Sequence, residues 1–170
     1  NVEEYWKGLQ EGKCGIDTIT LFDVSDFKVK LAGEVKNYNP EDYFDKRSAR
    51  RLDRFAQFAM IAAREAMKDS GMTKENTDFD KVGVFIGSGM GGLETIEKEL
   101  NVCFEKGYDK ISPMFIPMVI SNMATGNVAI DLGLRGESFS IATACASATH
   151  SIGEAYRAIK HGYQDAVFTG

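Results

Sequence analysis

Ser138-Phe139-Ser140-Ile141-Ala142-Thr143-Ala144-Cys145-Ala146-Ser147-Ala148-Thr149 is the stretch on which the reading of this chain turns. Ser138–Ala142 reads as a strand. A helix is expected from about Cys145 to Lys160, closed by Gly162. A strand then feeds directly into a helix, with Cys145 at the junction. Ala144, Ala146, Ser147 and Ala148 are all small, so a ligand or another backbone can approach closely.

A thiol at a helix N-terminus has its thiolate stabilised by the macrodipole and by free backbone N–H groups. The same N–H groups can stabilise a thioester oxyanion. The layout is that of a nucleophile elbow with Cys in place of Ser. The residues alone leave a second reading open, a small buried Cys packing a helix against a strand. His150 lies about 140° around the expected helix from Cys145, and His161 about 24 Å along it. Neither is placed to serve as its base. His150 reads as a packing residue and His161 as a complement to the helix dipole.

Upstream, Val82-Gly83-Val84-Phe85-Ile86 is a continuous apolar run, expected to be a strand covered on both faces. An acidic helix from Leu93 to about Phe104 follows. Pro113 and Pro117 then frame a loop, and a helix continues to about Leu132. Ala166–Thr169 begins another strand. Alternating strands and helices predict an α/β sheet. Before it, one helix is expected from about Ser48 to Ser70, apolar nearly all round and stopped by Gly71. Val2, Tyr5, Trp6 and Leu9 predict a first helix ended by Gly12, with short extended pieces near Ile16–Leu21 and Val29–Val35.

Between Ile86 and Leu93, Gly87, Gly89 and Gly92 fit G-x-G-x-x-G in a strand-to-helix context, the setting of a dinucleotide site. Yet no second apolar strand ending in an acid follows, and Glu94, Glu97 and Glu99 would repel pyrophosphate. The other reading is a tight turn of close backbone approach that projects Met90 as a flexible apolar side chain.

Lys46, Arg47, Arg50, Arg51 and Arg54, with Asp53, give the segment 46–54 a charge of +4 within a chain of −5. Arg47, Arg50, Arg51 and Arg54 fall at i, i+3, i+4 and i+7, which predicts one helical face opposed to the macrodipole. An external anionic partner and a plain solvated face both fit.

Composition bounds the rest. The 170 residues are 44% hydrophobic and 26% charged, a core-forming balance for one domain or part of a larger one. Net acidity argues against general nucleic-acid binding. No apolar run suffices to span a membrane, and no signal peptide is read at the N-terminus. Three cysteines without paired spacing favour a reducing, cytoplasmic setting.

Taken together, Ser138–Ser147, the Gly87–Gly92 loop and Ile111-Ser112-Pro113-Met114-Phe115-Ile116-Pro117 resemble β-ketoacyl-acyl-carrier-protein synthases. The likeness is greatest to the elongating type II enzyme of bacterial fatty-acid synthesis, and it runs from Asn1 to Gly170. It implies the N-terminal half of a thiolase-like fold, a mixed sheet with helices on both faces, with the first strand and the C-terminal half absent. It assigns Cys145 as the nucleophile that takes an acyl chain from acyl carrier protein as a thioester. Malonyl-carrier protein then loses carbon dioxide, and the carbanion attacks that thioester. Met90 matches an apolar residue gating the acyl pocket. Arg47, Arg50 and Arg51 match a basic patch that docks the acidic carrier protein. Two His, a Lys and a gating Phe of the family's site have no counterpart here. A homodimer joined through the strand before the nucleophile is implied, and no cofactor or metal beyond the carrier's phosphopantetheine. Glu137 stands where the family usually has Pro, putting loop rigidity in doubt. Ala148 replaces a common Gly and would tighten the packing of the nucleophile helix. Relatives that act only as chain-length partners lack the Cys. Two other classes remain to be distinguished: a nucleotide-dependent oxidoreductase using Gly87–Gly92, and a non-catalytic module binding acidic proteins through the arginines.

Overall fold

The computed structural model describes residues 1–170. They form two units, Asn1–Pro40 and Glu41–Gly170.

In the first unit, α1 (Val2–Gln10) starts where the Asn1 side chain accepts the Glu4 N–H at 2.8 Å. Glu3 and Glu4 in its first turn complement the dipole. The expected extended pieces pair as an antiparallel ladder, β1 (Ile16–Thr18) with β2 (Leu31–Gly33), Ile16 opposite Gly33. The Glu34 carboxylate closes it by accepting from the Thr20 N–H and hydroxyl.

The second unit is built on three parallel strands in the order β4 (Ser138–Phe139), β3 (Val82–Phe85), β5 (Ala166–Thr169). Val84 lies opposite Ser138 and Phe168. Side chains alternate across a strand, so β3 serves two cores. Val82 and Val84 face one side with Phe168, against Met60 and Ala63 of α3 (Arg54–Ser70) and Val128 of α6 (Met123–Leu132). Phe85 faces the other, against Ala155 and Ala158 of α7 (Ser147–Lys160). Burying residues such as Val82, Val84 and Val128 contributes about 1.5–3 kcal/mol each. The sequence reading of a strand covered on both faces, with helices on each, holds. The sheet itself is parallel throughout these residues, and antiparallel pairing is confined to β1–β2.

Three expected elements differ in detail. The helix proposed from Ser48 is two pieces, α2 (Lys46–Ala49) and α3, because the Asp53 carboxylate starts a new helix by accepting the Phe55 N–H. Nor is α3 sealed all round: Ala62 and Ala66 are exposed. Pro117 sits inside α5 (Phe115–Val119) rather than framing a loop. It is in the first turn, where its missing N–H costs nothing. Strand β4 is regular only over Ser138–Phe139, although the Ile141 carbonyl still accepts the Ser88 N–H at 3.2 Å, in the register that Glu137 and Val84 set. Between β3 and α5, α4 (Leu93–Lys106) follows the glycine loop as expected. The outer face of α7 carries Ile152, Tyr156 and Ile159, all exposed.

Candidate active site

The chain leaves β4, extends to Thr143, and makes one 3-10 turn, Ala144–Ala146, before entering α7. Cys145 is in that turn and is exposed, so the reading as a buried packing cysteine fails. Cys103 is the buried one, while Cys14 is exposed in the first unit.

Ala144 has φ +49°, one of only two non-glycine residues with positive φ. For a residue with a Cβ this conformation costs about 1–2 kcal/mol. Ser147 holds it in place. Its buried hydroxyl accepts the Thr143 N–H at 2.9 Å and donates to the Ala144 carbonyl at 2.7 Å. One side chain thus ties together the residues on both sides of the strained peptide and presents the next residue, Cys145. No side chain caps the start of α7, which begins two residues after Cys145. The role of Ser147 was legible only as smallness.

The glycine loop packs directly under this elbow. A Cβ on Gly87 would sit 2.5 Å from the Ser147 carbonyl carbon and 2.6 Å from its oxygen. A Cβ on Gly89 would lie 3.5 Å from the Ala144 Cα. Gly91, at φ +71°, and Gly92 press on the carbonyls of Val119 and Met118. These glycines exist for close approach to protein backbone. The anion position at the start of α4 is moreover already filled. The Asp53 carboxylate accepts the Thr95 N–H at 2.9 Å and the Thr95 hydroxyl at 2.6 Å, buried at 5% exposure. A buried carboxylate at that place excludes a pyrophosphate, and the dinucleotide reading is withdrawn. Asp53, which caps two helices at once, was missed; its position just before an apolar run was the available signal.

Met90 projects from the tip of this loop, 69% exposed. It is no part of the cavity of about 360 Å³ between the arginine segment, α3, α5 and α6. Leu52, Met60, Met114 and Met123 line that cavity, with Arg51 in its wall.

Arg47, Arg50 and Arg51 are exposed and enter no ion pair. They do not share one helical face with Arg54. Arg47 is in α2, Arg50 is its C-cap, Arg51 is in the following turn, and Arg54 opens α3 with its guanidinium over the Phe58 ring. The expected conflict with a helix dipole therefore disappears for Arg50, which stands at the favourable end of α2. Asp45 caps α2, and the Ser48 hydroxyl and N–H hold its carboxyl below the ordinary carboxylate range.

His150 Nδ1 lies 2.8 Å from the Thr143 hydroxyl, so it braces the elbow from outside. His161 caps the far end of α7, against Tyr163. Ala148 is exposed, so its methyl tightens nothing within these residues. The Glu137 backbone keeps the ladder regular, its carbonyl accepting the Val84 N–H at 2.9 Å.

An elbow carrying an exposed thiol, on a parallel sheet with helices on both faces, fits the N-terminal part of a thiolase-like fold. The chain belongs to the β-ketoacyl synthase family: the description "Beta-ketoacyl synthase, N-terminal domain" matches residues 1–170. It is 48% identical over 170 residues to 3-oxoacyl-(acyl-carrier-protein) synthase 2 of Staphylococcus aureus strain N315, covering 100% of this chain and 41% of that relative. The ishigamide ketosynthase/chain length factor superposes with a TM-score of 0.86 at 26% identity, over 96% of this chain and 41% of that one. A type II PKS acyl-carrier protein in complex with its ketosynthase gives a TM-score of 0.71 at 23% identity, over 76% of this chain and 38% of that one. The chain thus spans about two fifths of the length of these proteins.

Proposed function

We propose that this chain is the nucleophile-bearing part of a β-ketoacyl-acyl-carrier-protein synthase of type II fatty-acid elongation. The Cys145 thiolate attacks an acyl thioester and the carrier thiol leaves, so the chain becomes bound to sulfur. Malonyl-carrier protein loses carbon dioxide. Its carbanion attacks the Cys145 thioester carbonyl, the thiolate is expelled, and a β-ketoacyl thioester remains on the carrier. The N–H groups at the mouth of α7 stabilise the oxyanion of each attack. Met90 gates the acyl pocket, and Arg47, Arg50 and Arg51 dock the acidic carrier. Phosphopantetheine arrives on the carrier, so no cofactor of the chain's own enters the chemistry. The edge strand β4 joins two copies in a homodimer. Free cysteines suit a cytoplasmic setting, and no helix is long and apolar enough to cross a membrane.

The observation carrying this reading is Cys145, exposed and aimed by the positive-φ Ala144 at the start of a 14-residue helix. In the full-length protein, a thioester-mimic electrophile is expected to modify Cys145, with no effect of added NAD(P)H. Cys145→Ala is expected to lower condensation by about a thousandfold or more. Peptide mass spectrometry reads the site, and modification confined to Cys14 or Cys103 overturns the assignment.

A further inference from the structure

The segment bearing the docking arginines cannot hold its own shape. Helix α2 has four residues, too few to be stable alone. Two side chains of α3 hold it from below. Upstream, the Arg64 guanidinium makes a two-pronged contact with Asp131 of α6, at 2.7 Å and 2.6 Å. Its remaining nitrogen donates to the Tyr43 carbonyl at 3.0 Å, and its plane lies 4.9 Å from the centroid of the Phe44 ring, which is buried. Residues 43 and 44 lead directly into Asp45, the cap of α2. Downstream, the buried Gln57 amide donates to the carbonyls of Ala49 and Leu52, both at 3.0 Å. Those two acceptors bracket Arg50 and Arg51. Gln57 and Arg64 are seven residues apart on α3, so they emerge within about 20° of one face and about 10.5 Å apart along it.

We infer that Gln57 and Arg64 are positioning residues that clamp the two ends of the arginine segment and so fix the geometry in which it meets an acidic carrier protein. This rests on the carrier-docking reading above. Neither residue touches the carrier. Each acts through the backbone that Arg47, Arg50 and Arg51 hang from.

The test uses the full-length protein and one acyl chain in two forms, on acyl carrier protein and on pantetheine alone. Gln57→Met and Arg64→Met are each expected to raise KM for the carrier-borne substrate about tenfold. The kcat at saturating carrier and the KM for the pantetheine thioester should stay within about twofold, which a merely structural lesion would not allow. Arg64→Lys keeps a cation between Asp131 and Phe44 but loses the planar fork, so an intermediate KM is expected; it also decides the matter if Arg64→Met does not fold. Equal losses with both substrates overturn the inference. So does a carrier KM that rises in Arg50→Glu but not in the two Met variants, which leaves the docking reading standing. If Arg50→Glu is also inert, the docking reading falls and takes the clamps with it.

Discussion

Gly87 shows how narrow the tolerance of the elbow is. The atoms a Cβ would strike are the Ser147 carbonyl and its Cβ, which cannot rotate away. In Gly87→Ala the loop or the start of α7 must therefore shift, and the Thr143–Ser147–Ala144 hydrogen bonds that present Cys145 shift with it. Overpacking of this kind costs about 1–3 kcal/mol. The rate of Cys145 alkylation in the full-length variant is expected to fall by about tenfold or more. An unchanged rate would mean that the loop does not set the thiol's position. At this scale the sequence was informative about Cys145 and silent about its support. A cysteine among small residues at a strand–helix junction advertises itself. That Ser147 donates one way and accepts the other depends on φ at Ala144, a torsion that no side-chain pattern records.

Among the elements, the most consequential detail is the single carboxylate that begins two helices. Asp53 accepts from Phe55 at the start of α3 and from Thr95 at the third position of α4. The two helices are 42 residues apart in sequence at this contact. Each lost cap costs about 0.5–2 kcal/mol, and the Thr95 hydroxyl would be left buried without its partner. Asp53→Ala is expected to lower unfolding stability by about 2–4 kcal/mol in urea titration. Asp53→Asn should restore only part of this, since its one oxygen can serve Phe55 or Thr95 but its amide nitrogen turns a donor towards the other. A loss below about 1 kcal/mol would show that the two caps are independent of this residue. Sequence periodicity ran straight through Asp53 because the arginines before it and the apolar residues after it share a 3.6-residue rhythm. A cap interrupts the backbone without interrupting that rhythm. Strand β3 was legible for the converse reason: an unbroken apolar run has no exposed face to confuse the reading. Gln57 and Arg64 lay unnoticed, because their partners are carbonyls and a carboxylate distant in sequence.

At the scale of the whole molecule, the sheet ends on β4. The Glu137 carbonyl bonds inward to Val84, so the Ser138 N–H and carbonyl between the inward-facing groups point away from the sheet. Such an edge needs a cover or a partner strand. Ser138→Pro removes the outward donor while sparing the bonds to β3. For the homodimer proposed above, it is expected to raise the dissociation constant of the full-length protein by about ten- to a hundredfold, since two copies each lose a bond. Sedimentation velocity across a dilution series measures this. A dimer that persists unchanged places the subunit contact elsewhere.

The exposed row Ile152, Tyr156 and Ile159 on α7, the helix that follows Cys145, has a practical corollary. Severed from any covering layer, these 170 residues would offer water a greasy seam along α7. Produced by themselves they should bind anilinonaphthalene dyes and self-associate, so reactivity measured on such material would report clumping as much as chemistry.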